Sequence, residues 1–186
     1  MGGDEPPSHH HFAGETVHSL IHRRRLLAGA ALSALSGASR AQIPQRAHSL
    51  SGKTLDGRAY DFRQDQGKTM LVFFWSTDCP VCRDKMPELR ANYEAWRDKG
   101  FQLVAVSLDR DLAELKTYVG VVNRMVPPAQ RFPLLWRGDD AHRDSFGPIA
   151  HTPTSFILDR AGREVKQIRG RIDPALWDDM AELVLT

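Results

Sequence analysis

Apolar and polar residues alternate in two distinct ways along the part of the chain that follows residue 50. Residues 68–75 and 101–109 are almost continuously apolar, a pattern typical of strands that are buried on both faces. In 79–99 and 111–123 the apolar residues instead recur every three or four positions, as on one face of a helix. This strand–helix–strand–helix order predicts a mainly parallel sheet with helices packed on it.

Two hairpins flank this unit. Asp56-Gly57 separates short mixed runs within 50–62, and 160–162 turns the apolar run 151–159 into the run 163–170. With the central unit they predict an α/β fold: a mixed central sheet, helices on both faces and an N-terminal β-hairpin. The other expected elements are a strand at 133–136, a short helix at 141–146 and a last helix with Asp173 as N-cap and Pro174 in its first turn.

The first 41 residues have a different character. Three arginines at 23–25 precede a mildly apolar run at 26–38 and then Ser39-Arg40-Ala41, which is the order of a secretory signal and resembles the twin-arginine pattern. The apolar run is shorter than the ~20 residues that a membrane-spanning helix needs. We therefore expect residues 1–41 to be a tail and signal peptide, 42–186 to form one domain, and the protein to be periplasmic. The alternative is a cytosolic protein with a disordered basic N-terminus.

Charge and cysteine content narrow the function by exclusion. The chain carries a formal net charge of +2, and past Ala41 its 21 basic residues face 20 acidic ones. Such a balance argues against a nucleic acid or an anionic membrane as partner. The chain has only 2 cysteines, too few for a disulfide framework, so redox or metal chemistry is the better interpretation.

The two cysteines, Cys79 and Cys82, lie where the first buried strand ends and the first helix begins, with Pro80 suited to the first turn. Unpaired N–H groups and the helix macrodipole favour a thiolate there, so the pKa of Cys79 should fall below ~8.5. Cys82, one turn later, is placed to attack a mixed disulfide at Cys79. We expect Cys79 to be the nucleophile and Cys82 the shielded resolving thiol, their redox-active disulfide needing no further cofactor and no metal.

Three further motifs accompany the cysteine pair: Phe74-Trp75 before the first cysteine, Pro87 after the second, and Thr152-Pro153-Thr154 late in the chain. With these motifs, about residues 48–186 resemble the TlpA/ResA-type exported branch of the thioredoxin superfamily. The resemblance implies a thioredoxin-like three-layer sandwich and thiol–disulfide exchange on exported proteins, as in cytochrome c maturation or copper-site assembly. It also implies disulfide-containing protein substrates and a membrane electron donor, and we expect a monomer.

The resemblance also assigns supporting residues. A cis Thr152–Pro153 bond would aim the backbone of Thr152 at Cys79, where it could pair with a substrate strand. Pro80 and Val81, between the cysteines, would tune the reduction potential. Trp75 either supports the site or fills the core, and Pro87 should kink the helix rather than end it.

Two positions depart from the family pattern. Relatives usually carry an aromatic residue where this chain has Asp78. The carboxylate of Asp78 should raise the pKa of the adjacent Cys79 thiol, an effect that Arg83 could oppose. The alternative is that Asp78 is simply the N-cap of the helix. Thioredoxin has a buried Asp at the place aligned with Phe73, which cannot relay a proton. Glu88 is a candidate proton acceptor for Cys82. The plainer interpretation is that Glu88 is a solvated carboxylate on the exposed face of the helix.

Two other functions compete with the oxidoreductase. A copper-binding chaperone would use Cys79, Cys82 and His151, since two thiolates and an imidazole suit a soft ion. The plainer interpretation of His151 is a solvent-facing loop residue. A peroxidase of the peroxiredoxin kind would need a Pro-x-x-x-Thr-x-x-Cys motif, which the chain lacks.

Overall fold

The computed structural model describes residues 46–185, so the expected leader at 1–41 lies outside the described residues. Within this range a five-stranded sheet, a three-stranded sheet and three α-helices make up the fold. The strands are β1 Leu50–Lys53, β2 Ala59–Asp61, β3 Thr69–Trp75, β4 Phe101–Ser107, β5 Leu134–Trp136, β6 Arg143–Asp144, β7 Thr154–Leu158 and β8 Glu164–Arg169, and the helices are α1 Pro80–Trp96, α2 Leu112–Met125 and α3 Leu176–Leu185. No helix among the described residues combines the length and apolar character that crossing a bilayer would require.

The large sheet has the strand order β5-β4-β3-β7-β8. The strands β3, β4 and β5 are parallel to one another, whereas β7 and β8 are antiparallel to their neighbours. Every residue of β3 and β4 is buried, as their continuous apolar runs predict. The mixed sheet and the α/β fold class are therefore confirmed, and the carboxyl ends of the parallel strands lie at one edge of the sheet.

Two apolar clusters cover the two faces of this sheet. The first contains alternate residues of β3 and β4, both cysteines, and buried residues of α1, α2 and α3. The second contains the other set of alternate residues together with Leu50, Tyr60 and Phe62. We expected helices on both faces of the sheet, but the buried apolar residues of all three helices belong to the first cluster. The second face is covered by Leu50 and Tyr60 of the small sheet and by Phe62 in the 3-10 turn after β2.

The small sheet joins the expected N-terminal hairpin to a strand that the residue pattern did not predict. β1 pairs with β2 on one side and with β6 on the other, all antiparallel. The expected short helix at 141–146 is wrong, because Asp144 pairs with Leu50 and its carboxylate accepts hydrogen bonds from Arg137 Nε (2.8 Å) and the N–H of Phe146 (3.0 Å). So short a segment gains too few helical hydrogen bonds to offset nucleation.

The helix ends agree closely with the sequence patterns. α1 continues through Pro87 as expected, and a 3-10 turn follows the end of α1. Gly100 ends this turn with a φ of 89°, a value that residues with a side chain adopt with difficulty. The bend expected at Pro87 stays a prediction. α3 begins at Leu176 rather than Pro174, although Asp173 Oδ1 does accept a hydrogen bond from the N–H of Ala175 (2.9 Å).

Candidate redox site

Cys79 and Cys82 form a disulfide at the start of α1, with their Cα atoms 5.2 Å apart. The two residues differ in access: Cys79 is 8% exposed and Cys82 is 0% exposed. An approaching thiolate therefore meets the sulfur of Cys79 first. Both cysteines belong to the cluster beneath α1, and Cys82, one helical turn further along, is the one that this packing covers completely.

Cys79 is itself the N-cap of α1. Its backbone is extended (φ −86°, ψ 106°), and its Sγ accepts a hydrogen bond from the N–H of Cys82 at 3.1 Å. The same N–H would stabilise a thiolate on that sulfur after reduction, as expected at a helix start. The interpretation of Asp78 as N-cap is wrong, because α1 begins one residue too late for it. Asp78 is exposed and its carboxylate takes part in no hydrogen bond or ion pair with the described residues.

A carboxylate that the residue pattern did not single out fastens the loop before the cysteines. Asp109 Oδ1 accepts hydrogen bonds from the N–H (2.9 Å) and the hydroxyl (2.5 Å) of Thr77. Its other oxygen accepts one from the hydroxyl of Ser107 at 2.6 Å. The available signal was an acid two residues after the end of β4, since the carboxyl ends of β3 and β4 share an edge of the sheet.

The loop before β7 completes the surroundings of the disulfide. The Thr152–Pro153 peptide is cis, as expected from the resemblance, and the carbonyl of Pro153 accepts a hydrogen bond from the N–H of Gly170 (2.8 Å). Thr152 and His151 line a cavity of about 570 Å³ together with the loop 76–78 and the segment after β4. The structure therefore places Thr152 and Asp78, the residue that precedes Cys79 in the chain, around one cavity.

The other predicted supporting residues differ in their surroundings. Trp75 is buried, its ring lies 5.9 Å from that of Tyr118, and its indole N–H has no hydrogen-bond partner among the described residues. It therefore packs as a core residue beneath the loop. Val81 is partly buried against the first cluster, and Pro80 is exposed in the first turn of α1.

Glu88 is not the solvated carboxylate that the plainer interpretation expects. Lys85, whose side chain is 5% exposed, places its Nζ 2.8 Å from Glu88 Oε2. The other carboxylate oxygen accepts a hydrogen bond from the indole N–H of Trp177 on α3. Phe73 is fully buried, so the position aligned with the thioredoxin acid holds no ionisable group here. A role of Glu88 in accepting the proton of Cys82 stays a prediction.

The copper hypothesis receives no support from the site. Within residues 46–185 there is no group of three or more His, Cys, Asp or Glu side chains that could hold a metal ion. His151 is exposed, and its carbonyl accepts the hydroxyl of Thr154 at 2.7 Å. The described residues thus do not bring the imidazole together with the two cysteines as a metal site.

Comparison with known proteins agrees with this geometry. Residues 43–167 match the AhpC/TSA family. The thiol-disulfide oxidoreductase ResA of Bacillus thuringiensis (strain Al Hakam) is 27% identical over 129 residues, which cover 69% of this chain and 70% of that protein. A thiol:disulfide interchange protein of the thioredoxin family from Chlorobium tepidum TLS has a solved structure with a TM-score of 0.63 and 26% identity, over 78% of this chain and 99% of that one. The chain therefore belongs to the AhpC/TSA family, as a ResA-like thiol-disulfide oxidoreductase with a thioredoxin fold.

Proposed function

We propose that this oxidoreductase is exported to the periplasm and reduces disulfides in client proteins, with Cys79 as nucleophile and Cys82 as resolving thiol. The observation that carries the proposal is the difference in access between the two sulfurs at the start of α1. A reductase must expose one sulfur to the client and keep the other inside until a mixed disulfide has formed. The cysteine pair meets both requirements.

Each turnover moves two electrons and two protons to the client. The Cys79 thiolate attacks one sulfur of the client disulfide, forming a mixed disulfide and releasing a client thiolate. Cys82 then loses its proton and attacks Cys79 Sγ, which closes the Cys79–Cys82 disulfide and releases the second client thiolate. The structure has this disulfide closed, so it represents the oxidised product of the cycle.

The surroundings of the disulfide indicate how a client would bind. The cavity lined by Asp78 and Thr152 leaves room for an extended segment beside the residue that precedes Cys79. The backbone of Thr152 would pair with that segment as an added strand. The family resemblance favours apocytochrome c or copper-site proteins as clients, a membrane thiol donor for re-reduction, and a monomer as the working form.

Trapping the mixed disulfide tests the two cysteine roles. Cys82→Ser should accumulate a covalent complex with a disulfide-containing peptide, because the attack at Cys79 proceeds and the resolving step does not. Cys79→Ser is the matched control and should accumulate none, since its remaining thiol is buried. Non-reducing electrophoresis and mass spectrometry measure the complex. Equal trapping by both variants, or trapping only by Cys79→Ser, would reject the assignment.

The direction of electron flow is tested by the reduction potential of the cysteine pair. We would equilibrate the protein with glutathione or dithiothreitol buffers and quantify the free thiols by trapping. A value near or below roughly −220 mV supports a reductase that depends on an electron donor. A value near roughly −120 mV would identify an oxidant and overturn the proposed direction.

A further inference from the structure

A second cavity, of about 600 Å³, shares no lining residue with the cavity beside Asp78 and Thr152. It is bounded by the β1–β2 turn, one side of α1, the second half of α2 and the segment 128–134. Of the residues that the structure describes, three arginines line it, Arg58, Arg90 and Arg131, and one acid, Asp56. The lining is therefore net positive, in a domain whose overall charge is nearly balanced.

Arg90 is the unusual member of this group. It is half-buried on α1, its Cζ lies 5.6 Å from the centroid of the Phe132 ring, and its guanidinium has no hydrogen-bond acceptor or carboxylate partner among the described residues. Burial, together with the nearby cation of Arg131, lowers the pKa of Arg90 below its ordinary value, and Tyr118 opposes this shift only in part. An arginine placed in this way has unused donors that face a net positive cavity.

The two neighbouring arginines are held in place by other contacts. Arg131 donates from Nε to the carbonyl of Val126 (3.0 Å) and from Nη2 to that of Asn123 (2.7 Å), both at the end of α2. Arg58 donates from Nε to Asp56 Oδ2 at 2.9 Å. Among the described residues, Asp56 is the one carboxylate that lines the cavity, and its hydrogen bond with Arg58 leaves the charges of Arg90 and Arg131 there without a counterion.

We propose that this cavity binds a small organic anion, with a carboxylate or phosphate group held by Arg90 and Arg131 and an apolar body against the remaining wall. Planar guanidinium groups match the oxygens of both anions and can bind them in a bidentate manner. Leu55, Phe132 and Leu134 supply the apolar wall, and the volume lies in the range of small-molecule sites. The proposal goes beyond thiol–disulfide exchange and does not depend on it.

Isothermal titration of the full-length protein with phenyl phosphate tests the site, and phenylacetate serves as the carboxylate probe. We expect saturable binding of at least one probe and weaker binding of inorganic phosphate, which lacks the apolar body. Arg90→Met should weaken binding at least about tenfold, the equivalent of ~1.4 kcal/mol. Arg124→Met is the matched control, since it removes the same charge from an exposed position that does not line the cavity.

Three results would overturn the proposal: no saturable binding of either probe, equal weakening by Arg124→Met, or inorganic phosphate binding as tightly as phenyl phosphate. Arg90→Lys provides a second test if Arg90→Met fails to fold. It keeps the charge and loses the bidentate geometry, so binding should weaken by an intermediate factor. Insulin reduction by the same variants should stay at the parental rate, which separates this site from the redox site.

Discussion

Two buried serines provide a sharp test of the hydrogen bonds that surround the redox site. Ser107, at the end of β4, and Ser155, on β7, are both 0% exposed. The hydroxyl of Ser107 donates to Asp109 Oδ2 (2.6 Å) and accepts from the N–H of Asp109 (3.0 Å). The hydroxyl of Ser155 has no partner among the described residues. The same substitution, serine to alanine, should therefore destabilise the fold at Ser107 but not at Ser155.

The magnitudes follow from what each alanine removes. Ser107→Ala breaks one hydrogen bond to a charged group, worth ~1.5–3 kcal/mol, and leaves the N–H of Asp109 without its partner. Partial hydration of Asp109 should limit the total loss to about 2 kcal/mol. Ser155→Ala breaks no hydrogen bond and removes a hydroxyl whose burial costs ~1–3 kcal/mol, offset in part by the small space left behind. We expect it to be neutral or to stabilise the fold by about 1 kcal/mol.

Urea unfolding of the oxidised variants measures the difference. With slopes of ~1–3 kcal/mol per molar urea, Ser107→Ala should lower the midpoint by about 1 M, and Ser155→Ala should leave it unchanged or raise it. Equal destabilisation by the two alanines, at unchanged slopes, would refute the reasoning. Such a result would mean that the hydroxyl of Ser155 has a partner or that packing outweighs hydrogen bonding at both positions.

Three further predictions concern charged groups. Burial would raise the pKa of Asp144, but hydrogen bonds from His142 and Arg137 hold it below its ordinary value. Its stabilising effect is therefore present above the unfolded pKa of ~3.9 and lost as the pH falls through the lowered folded pKa. Asp144→Asn should lower the urea midpoint more at pH ~7 than at pH ~2.5. Glu88→Ala leaves the buried ammonium of Lys85 without its carboxylate and should lower the free energy of unfolding by about 2–4 kcal/mol. The double variant Glu88→Ala/Lys85→Met should lose less, because it removes the buried charge as well. Equal losses in the two variants would contradict a charge effect. Asp78→Asn removes a negative charge beside Cys79 and should therefore favour the Cys79 thiolate. Alkylation of the reduced protein by iodoacetamide at neutral pH should become about twofold faster, and Asp98→Asn is the control. A slower reaction would contradict electrostatic repulsion between Asp78 and the thiolate.

Local patterns were sufficient for the parts of this protein that depend on near neighbours. The buried strands β3 and β4, the apolar face of α1 and the turn at Asp56-Gly57 follow from residue spacing, since neighbours a few positions apart set these features. The cysteine spacing at a strand-to-helix junction likewise indicates redox chemistry, because helix starts favour thiolates. The same local logic correctly placed Asp111 at the N-terminus of α2.

Local patterns failed where distant residues compete for the same backbone. Residues 141–146 look like a short helix, yet Arg143–Asp144 pairs with β1, more than 90 positions earlier. Asp78 has the chemistry of an N-cap, and the start of α1 one residue later gives that place to Cys79. The strand at Arg143–Asp144 was decided by pairing with a distant part of the domain, which outweighs propensities worth only tenths of a kcal/mol per residue.

The sequence by itself thus determined the α/β class, the redox pair and the alternation of buried strands with helices, because these rest on periodicity and on two cysteines close together in the chain. Only the tertiary structure decided how Asp109 holds Thr77 across 32 positions, and that Arg90 faces a cavity without a counterion among the described residues. Such features arise from contacts between residues that are far apart in the chain. Their energies depend on burial and on exact partners, neither of which a pattern of neighbouring residues contains.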